Sequence, residues 1–127
     1  MTVPRIAPAE WEVMEVLWDR QPVSAAEVID AFQGRSDWRP KTIRTLLDRL
    51  VQKGAVTREK RAGAYRFSPR VKRDECIREE GRSFLNRFFG GDLLPMVAHF
   101  LDEEGVTRAE LDELRRLLDE RKGEEQS

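Results

Sequence analysis

Between Arg39 and Pro69 the chain changes its hydrophobic period in mid-course, and few folds accommodate that change. Ile43, Leu46, Leu47, Leu50 and Val51 stand at i, i+3, i+4, i+7 and i+8, the apolar stripe of an amphipathic helix. Pro40 suits the first turn of such a helix and Gly54 its stop. Directly beyond, "AVTREKRAGAYRFSP" alternates with period two: Val56 falls on one set with Arg58 and Lys60, and Ala62-Gly63 marks a turn. The return runs through Tyr65 and Phe67 until Pro69 stops it. An isolated hairpin is marginal in water. This one must lean on the helix through some of Val56, Tyr65 and Phe67, which leaves Arg58, Lys60, Arg61 and Arg66 to project.

Upstream, two shorter helices complete the motif. "PAEWEVMEVLWDR", residues 8–20, places Trp11, Met14, Leu17 and Trp18 at spacings of three and four, with Pro8 in the first turn. Pro22 ends that helix, so "QPV" reads as an extended connector. In "VSAAEV", Ser24 and Glu27 form a capping box and Val23 can staple against Val28. Val28, Ile29 and Phe32 then face inward until Gly34 closes the helix. Two helices joined by a short turn and followed by a hairpin predict a winged helix-turn-helix domain over residues 1–70.

Residues 71–127 return to helical periodicity. Ile77, Phe84, Leu85, Phe88 and Phe89 predict a long helix ending at Gly90-Gly91, and "LLPMVAHFL" a short apolar one. Thr107 and Glu110 form a second capping box ahead of Leu111, Leu114, Leu117 and Leu118, and "KGEEQS" reads as a frayed tail. So small a segment cannot bury that many large apolar side chains alone. The expectation is a C-terminal helical dimerisation region in which Phe84, Leu85, Phe88, Phe89, Met96, Phe100, Leu101, Leu111, Leu114 and Leu118 meet a second copy. The fold class is therefore mainly α with a small β-hairpin wing.

Composition narrows the function. Of the 127 residues 37% are charged and no apolar run approaches the roughly 20 residues of a membrane span, which points to a cytoplasmic protein without membrane insertion. One cysteine, Cys76, and one histidine, His99, make a poor start for a metal site. No phosphate-cradling glycine loop or nucleophile motif is present, so neither catalysis nor a cofactor is expected. The near-neutral total hides a polarity: residues 35–70 hold 11 basic against 3 acidic side chains, whereas residues 71–127 hold 10 against 15. A merely solvated face would mix signs. The basic block implies an anionic partner.

Double-stranded DNA is the expected partner on chemical grounds. A recognition helix needs short donors near its N-terminal end and cations over phosphates. Lys41, Thr42, Arg44 and Thr45 lie on the polar face of the first two turns, where Arg can engage guanine and a Thr methyl can touch thymine. Asp48 is expected to pair with Arg44 at i+4. Arg49 and Lys53 would approach the backbone farther along, and Arg58, Lys60 and Arg61 would straddle neighbouring phosphates. Two other classes compete: a winged-helix module that binds protein, and a one-component regulator responding to a ligand or, through Cys76, to redox state.

"AEWEVMEVLW", "SAAEVIDAF", "WRPKTIRTLLDRLVQKGAV", "SFLNRFFGGDLLPMVAHFL" and "ELDELRRLL" resemble, in order and spacing, the penicillinase-repressor family of BlaI, MecI and the copper-responsive CopY branch, over residues 6–121. The resemblance implies a homodimeric repressor on a palindromic operator, with DNA contacts at Lys41, Thr42 and Thr45 and at Arg58, Lys60 and Arg61. Family members answering beta-lactam sensors are similar in carrying an Asn-Phe bond that is cut on induction, with a membrane sensor metallopeptidase as the implied partner. The corresponding pair here, the possible cleavage site, is His99-Phe100: the Phe is kept and the Asn is not. The cysteine cluster of copper-responsive members is absent from "DERKGEEQS".

Overall fold

The structure, a computed structural model, describes residues 3–102 and 105–126, with side chains through Glu124 in the last helix. Its elements run α1 (Pro8–Arg20), α2 (Ala25–Phe32), α3 (Pro40–Lys53), β1 (Val56–Arg61), β2 (Ala64–Pro69), α4 (Arg73–Phe89), α5 (Leu93–Leu101) and α6 (Arg108–Gln126). They fall into two units, Met1–Gly81 and Arg82–Ser127.

In the first unit each helix starts and stops where local chemistry provides for it. Ser24 Oγ accepts the Glu27 N–H at 3.1 Å and Glu27 Oε1 accepts the Ser24 hydroxyl at 3.1 Å, the reciprocal cap that launches α2. Pro40 occupies the first turn of α3, and Gly54 ends it in the left-handed region at φ 83°, donating to the Leu50 and Val51 carbonyls. Leu17 of α1, Val28 of α2 and Leu50 of α3 are fully buried, and Phe32, Ile43 and Leu47 nearly so. Each such side chain contributes about 1.5–3 kcal/mol by leaving water. Trp11 and Trp18 sit at the core's margin rather than inside it, edge to face with centroids 5.4 Å apart.

The hairpin is antiparallel with Val56 opposite Pro69 and Lys60 opposite Tyr65. Ala62 (φ 50°) and Gly63 (φ 80°) make a two-residue loop in the left-handed region, the turn whose twist matches paired strands. The connector after α1 does more than join: Val23 exchanges both backbone hydrogen bonds with Phe67, at 3.1 and 2.7 Å. That bridge ties the wing to the helices, as does burial of Val56 and Phe67. Tyr65 stays 48% exposed, so only two of the three expected anchors are used.

The first unit reaches past residue 70, the boundary expected from sequence. Trp18 Nε1 donates to the Val71 carbonyl at 2.9 Å, Arg73 donates to both Glu15 oxygens at 3.0 and 3.2 Å, and Cys76 is buried in the core. The start of α4 is thus part of this unit.

In the second unit, Phe84 gathers Phe88, Phe89 and Phe100 with centroids 5.1, 5.9 and 6.3 Å away. Among its described residues no side chain is buried, and Phe88 and Leu94 are 60% and 78% exposed. The Thr107–Glu110 capping box forms, with the Glu110 N–H on Thr107 Oγ1 at 3.1 Å. Residues 122–126 are helical rather than frayed, helped by an Arg121–Glu124 pair one turn apart at 3.5 Å. Ser127 of the expected tail lies outside the described residues.

Candidate nucleic-acid interface

The stripe that buries Ile43, Leu46, Leu47 and Leu50 turns the rest of α3 to solvent. Lys41, Thr42, Arg44, Thr45, Asp48 and Arg49 are all exposed. Among the described residues, no side-chain hydrogen bond or ion pair engages Lys41, Thr42, Arg44 or Arg49. Thr45 Oγ1 donates to the Lys41 carbonyl one turn back, at 2.9 Å, so its proton is spent and it offers a lone pair and a methyl.

Lys53 has a different post from the one its sequence position suggested. Its ammonium binds Glu10 Oε1 at 2.5 Å and the Arg5 carbonyl at 3.0 Å. Glu10 is 2% exposed; it also accepts the Ala7 N–H at 2.8 Å, while its Oε2 has no partner. A buried carboxylate needs a counter-charge. Lys53 supplies it, so the side chain expected to approach a DNA backbone here ties the end of α3 to the start of α1.

The wing's arginines are also spoken for. Register places Val56, Arg58, Lys60, Tyr65 and Phe67 on one face. Val56 and Phe67 bury its inner half, and the outer half carries Arg58 and Lys60 over the Tyr65 ring, 4.6 and 5.8 Å from its centroid. Arg58 lies 3.8 Å from Asp48, so Asp48 pairs across to the wing and not with Arg44 as its i+4 spacing suggested. Arg61 pairs with Glu59 at 3.1 Å, and Arg66 with Glu27 at 2.5 Å. Of the four wing cations expected to project freely, Lys60 alone has no carboxylate partner among the described residues. Hydrogen bonds from the Ser24 backbone and hydroxyl, then the Arg66 guanidinium, hold Glu27 below the ordinary carboxylate range.

Tyr65 as a platform for two cations was missed. The signal was available: a two-residue turn at 62–63 sets Lys60 opposite Tyr65 and Arg58 diagonal to it. Between the N-terminus of α2, the middle of α3 and the wing lies a cleft of about 400 Å³ lined by Ser24, Arg44, Asp48, Arg58 and Tyr65 over Leu47 and Phe67.

The residues expected to pair two copies lie in the second unit. Phe84, Leu85, Phe89 and Met96 are half-buried; Phe88, Phe100 and Leu101 are exposed. Leu111, Leu114 and Leu118 line a groove of about 530 Å³ along α6. His99-Phe100 lies in the last turn of α5. Cys76 is 1% exposed, and burial followed by the charges of Glu75 and Glu80 pushes its thiol up, away from the thiolate a redox sensor requires. No helix among the described residues is long and apolar enough to cross a membrane.

Against known proteins, the profile of the family described as penicillinase repressor matches residues 6–120. The penicillinase repressor of Bacillus licheniformis is 38% identical over 120 residues, 94% of each chain. The methicillin resistance regulatory protein MecI of Staphylococcus aureus strain N315 is 34% identical over 116 residues, 91% of this chain and 94% of that one. Among solved structures, the DNA-binding domain of the repressor BlaI superposes with a TM-score of 0.52 at 36% identity, covering 58% of this chain and 90% of that one. The same figures hold for monomeric Bacillus licheniformis BlaI in complex with the blaP half-operator.

Proposed function

Because the chain belongs to the penicillinase repressor family, we propose that it is a homodimeric, sequence-specific transcriptional repressor that binds a palindromic operator. That family is one of DNA-binding repressors, not enzymes. The observation that carries the reading is the exposed face of α3, where the cations Lys41, Arg44 and Arg49, beside the free hydroxyl of Thr42, have no partner among the described residues in a block otherwise rich in ion pairs. Desolvating such cations without a phosphate or base edge gains nothing. With one, each bidentate base contact is worth about 1–3 kcal/mol of discrimination.

The dimer rests on the second unit. Leu93, Leu94, Phe100 and Leu101 of α5 and Leu111, Leu117 and Leu118 of α6 are all exposed, and a second copy of the same segment would cover them by two-fold symmetry. Such a dimer presents two α3 helices to successive major grooves, about 34–36 Å apart. Release is proposed to follow cleavage at His99-Phe100 by a membrane metallopeptidase in the cytoplasm. The end of α5 must unwind first, and intact-mass analysis of the induced protein tests it: a chain that stays whole while the promoter opens rejects cleavage.

Mobility-shift titrations test the DNA reading. Lys41→Ala and Thr42→Ala are expected to weaken operator binding by about tenfold each while leaving unrelated duplex nearly unchanged. Lys60→Ala should weaken all duplexes alike and flatten the salt dependence by about 0.9 in log-log slope. Operator selectivity that survived the double Lys41, Thr42 change would reject α3 as the reader. No duplex affinity at moderate salt would favour a protein-binding winged helix instead.

A further inference from the structure

Three wing arginines each keep a carboxylate of their own, yet Lys41, Arg44 and Arg49 on the exposed face of α3 have none among the described residues, and the acids responsible come from three different elements. Arg66 is held by Glu27 of α2, Arg61 by Glu59 of β1 and Arg58 by Asp48 of α3. Residues 35–70 contain only three acidic side chains, so two of the three are spent on this compensation. Asp48 is the notable one, because it stands on the recognition helix itself, where an acid repels phosphate. Its surroundings leave it little else to do. The side chain is 62% exposed and caps nothing, and its one ionic partner among the described residues is Arg58. Arg58 in turn is 42% exposed, and its guanidinium also lies over the Tyr65 ring, 4.6 Å from the centroid.

Resting on the DNA-binding reading above, we propose that Asp48 is an affinity-limiting residue, an internal competitor of backbone phosphate for Arg58. In the free protein the guanidinium lies 3.8 Å from Asp48 and 4.6 Å from the centre of the Tyr65 ring, and all three side chains line the cleft between α2, α3 and the wing. A phosphate reaching that cleft must displace a carboxylate already present, so this contact adds little net attraction. The wing therefore meets DNA nearly neutral, except for Lys60. Attraction is concentrated on α3, where base edges decide which duplex is held. A weak, solvent-screened pair suits such competition, because a gap of 3.8 Å between exposed groups restrains Arg58 without locking it.

The test is a double-mutant cycle on the full-length protein, using operator and unrelated duplex across a salt series. Asp48→Asn keeps the side chain's shape and removes its charge. It is expected to tighten both duplexes by the same factor, about two- to fivefold, and to steepen the log-log salt slope by about 0.9 per protomer. In an Arg58→Ala background the gain should shrink to less than half, because the freed partner is gone. A gain of the same size in that background overturns the proposal, since it would reflect bulk charge alone. No gain overturns it as well. So does a selective loss of operator binding, which would make Asp48 a base reader. Absence of duplex binding by the unaltered protein would instead reject the DNA reading itself, and matched thermal melts of the variants establish that folding is not the variable.

Discussion

The first unit closes its own core, and the second does not. Val13, Met14, Leu17, Val28 and Leu50 are wholly removed from water in the one, whereas among the described residues of the other no side chain is buried and Leu94 is 78% exposed. The sequences differ less than the outcomes, since both units carry apolar stripes at helical spacing and a capping box. What differs is closure. Three helices plus a hairpin surround a common centre in the first unit, whereas α5 and α6 expose the Leu and Phe that a second copy would have to cover. Stability of the first is thus intramolecular, whereas that of the second, in the proposed dimer, would depend on protomer concentration.

Cutting the chain between the two is the strongest way to break this contrast. A chain ending after Gly81 is expected to fold, to sediment as a monomer, and to lose about two to four orders of magnitude of affinity for a full operator, because the two half-sites are no longer linked. It should keep its affinity for a half-operator. A chain ending at Pro69 should melt lower, having lost the Val71 acceptor of Trp18, the Arg73 bonds to Glu15 and the burial of Cys76. Sedimentation and mobility shift check both, and a truncated chain that still dimerised and bound tightly would reject the division of labour.

Point changes then sharpen it. Leu118→Glu, on the α6 groove, should weaken self-association by about a hundredfold, since a carboxylate would have to be desolvated, and leave the melting of the first unit unchanged. Leu50→Ala, fully buried, should do the reverse: about 2–5 kcal/mol of folding stability lost, independent of concentration. Lys53→Ala comes next at about 2–4 kcal/mol, short of a fully buried pair because its side chain is 37% exposed. Its operator affinity, measured well below the melting point, should stay within about twofold, which separates a structural tie from a phosphate contact.

What the chain disclosed in advance was whatever depends on near neighbours. Ser24 with Glu27, Thr107 with Glu110, Pro40 and Gly54 marked helix ends because a cap needs groups within four residues, and Ala62-Gly63 marked the hairpin because its turn needs two left-handed residues. Pairings across the fold were not legible. Glu10 looks like a first-turn surface acid until Lys53, 43 positions on, is brought beside it. Asp48 had Arg44 at helical spacing, but wing geometry carried Arg58 to it instead. The basic block was therefore readable as a surface, whereas its division into compensated and uncompensated cations had to wait for tertiary structure.

The smallest expected effect lies at the junction of α2 and the wing, inside the self-sufficient unit. Glu27 caps Ser24 and receives Arg66, and those hydrogen bonds hold its carboxyl below the ordinary value of 4.5. A carboxylate whose folded value is depressed stabilises the fold above its unfolded value, and that contribution is lost as pH falls through the folded one. The side chain is exposed, so the contribution is slight. Glu27→Gln should therefore melt a little below the unaltered protein at neutral pH, with the gap narrowing as pH falls below 4.5 until the two coincide. Paired thermal melts across that range provide the check. A gap that widened on acidification would mean that Glu27 is not the carboxylate the cap and Arg66 depend on.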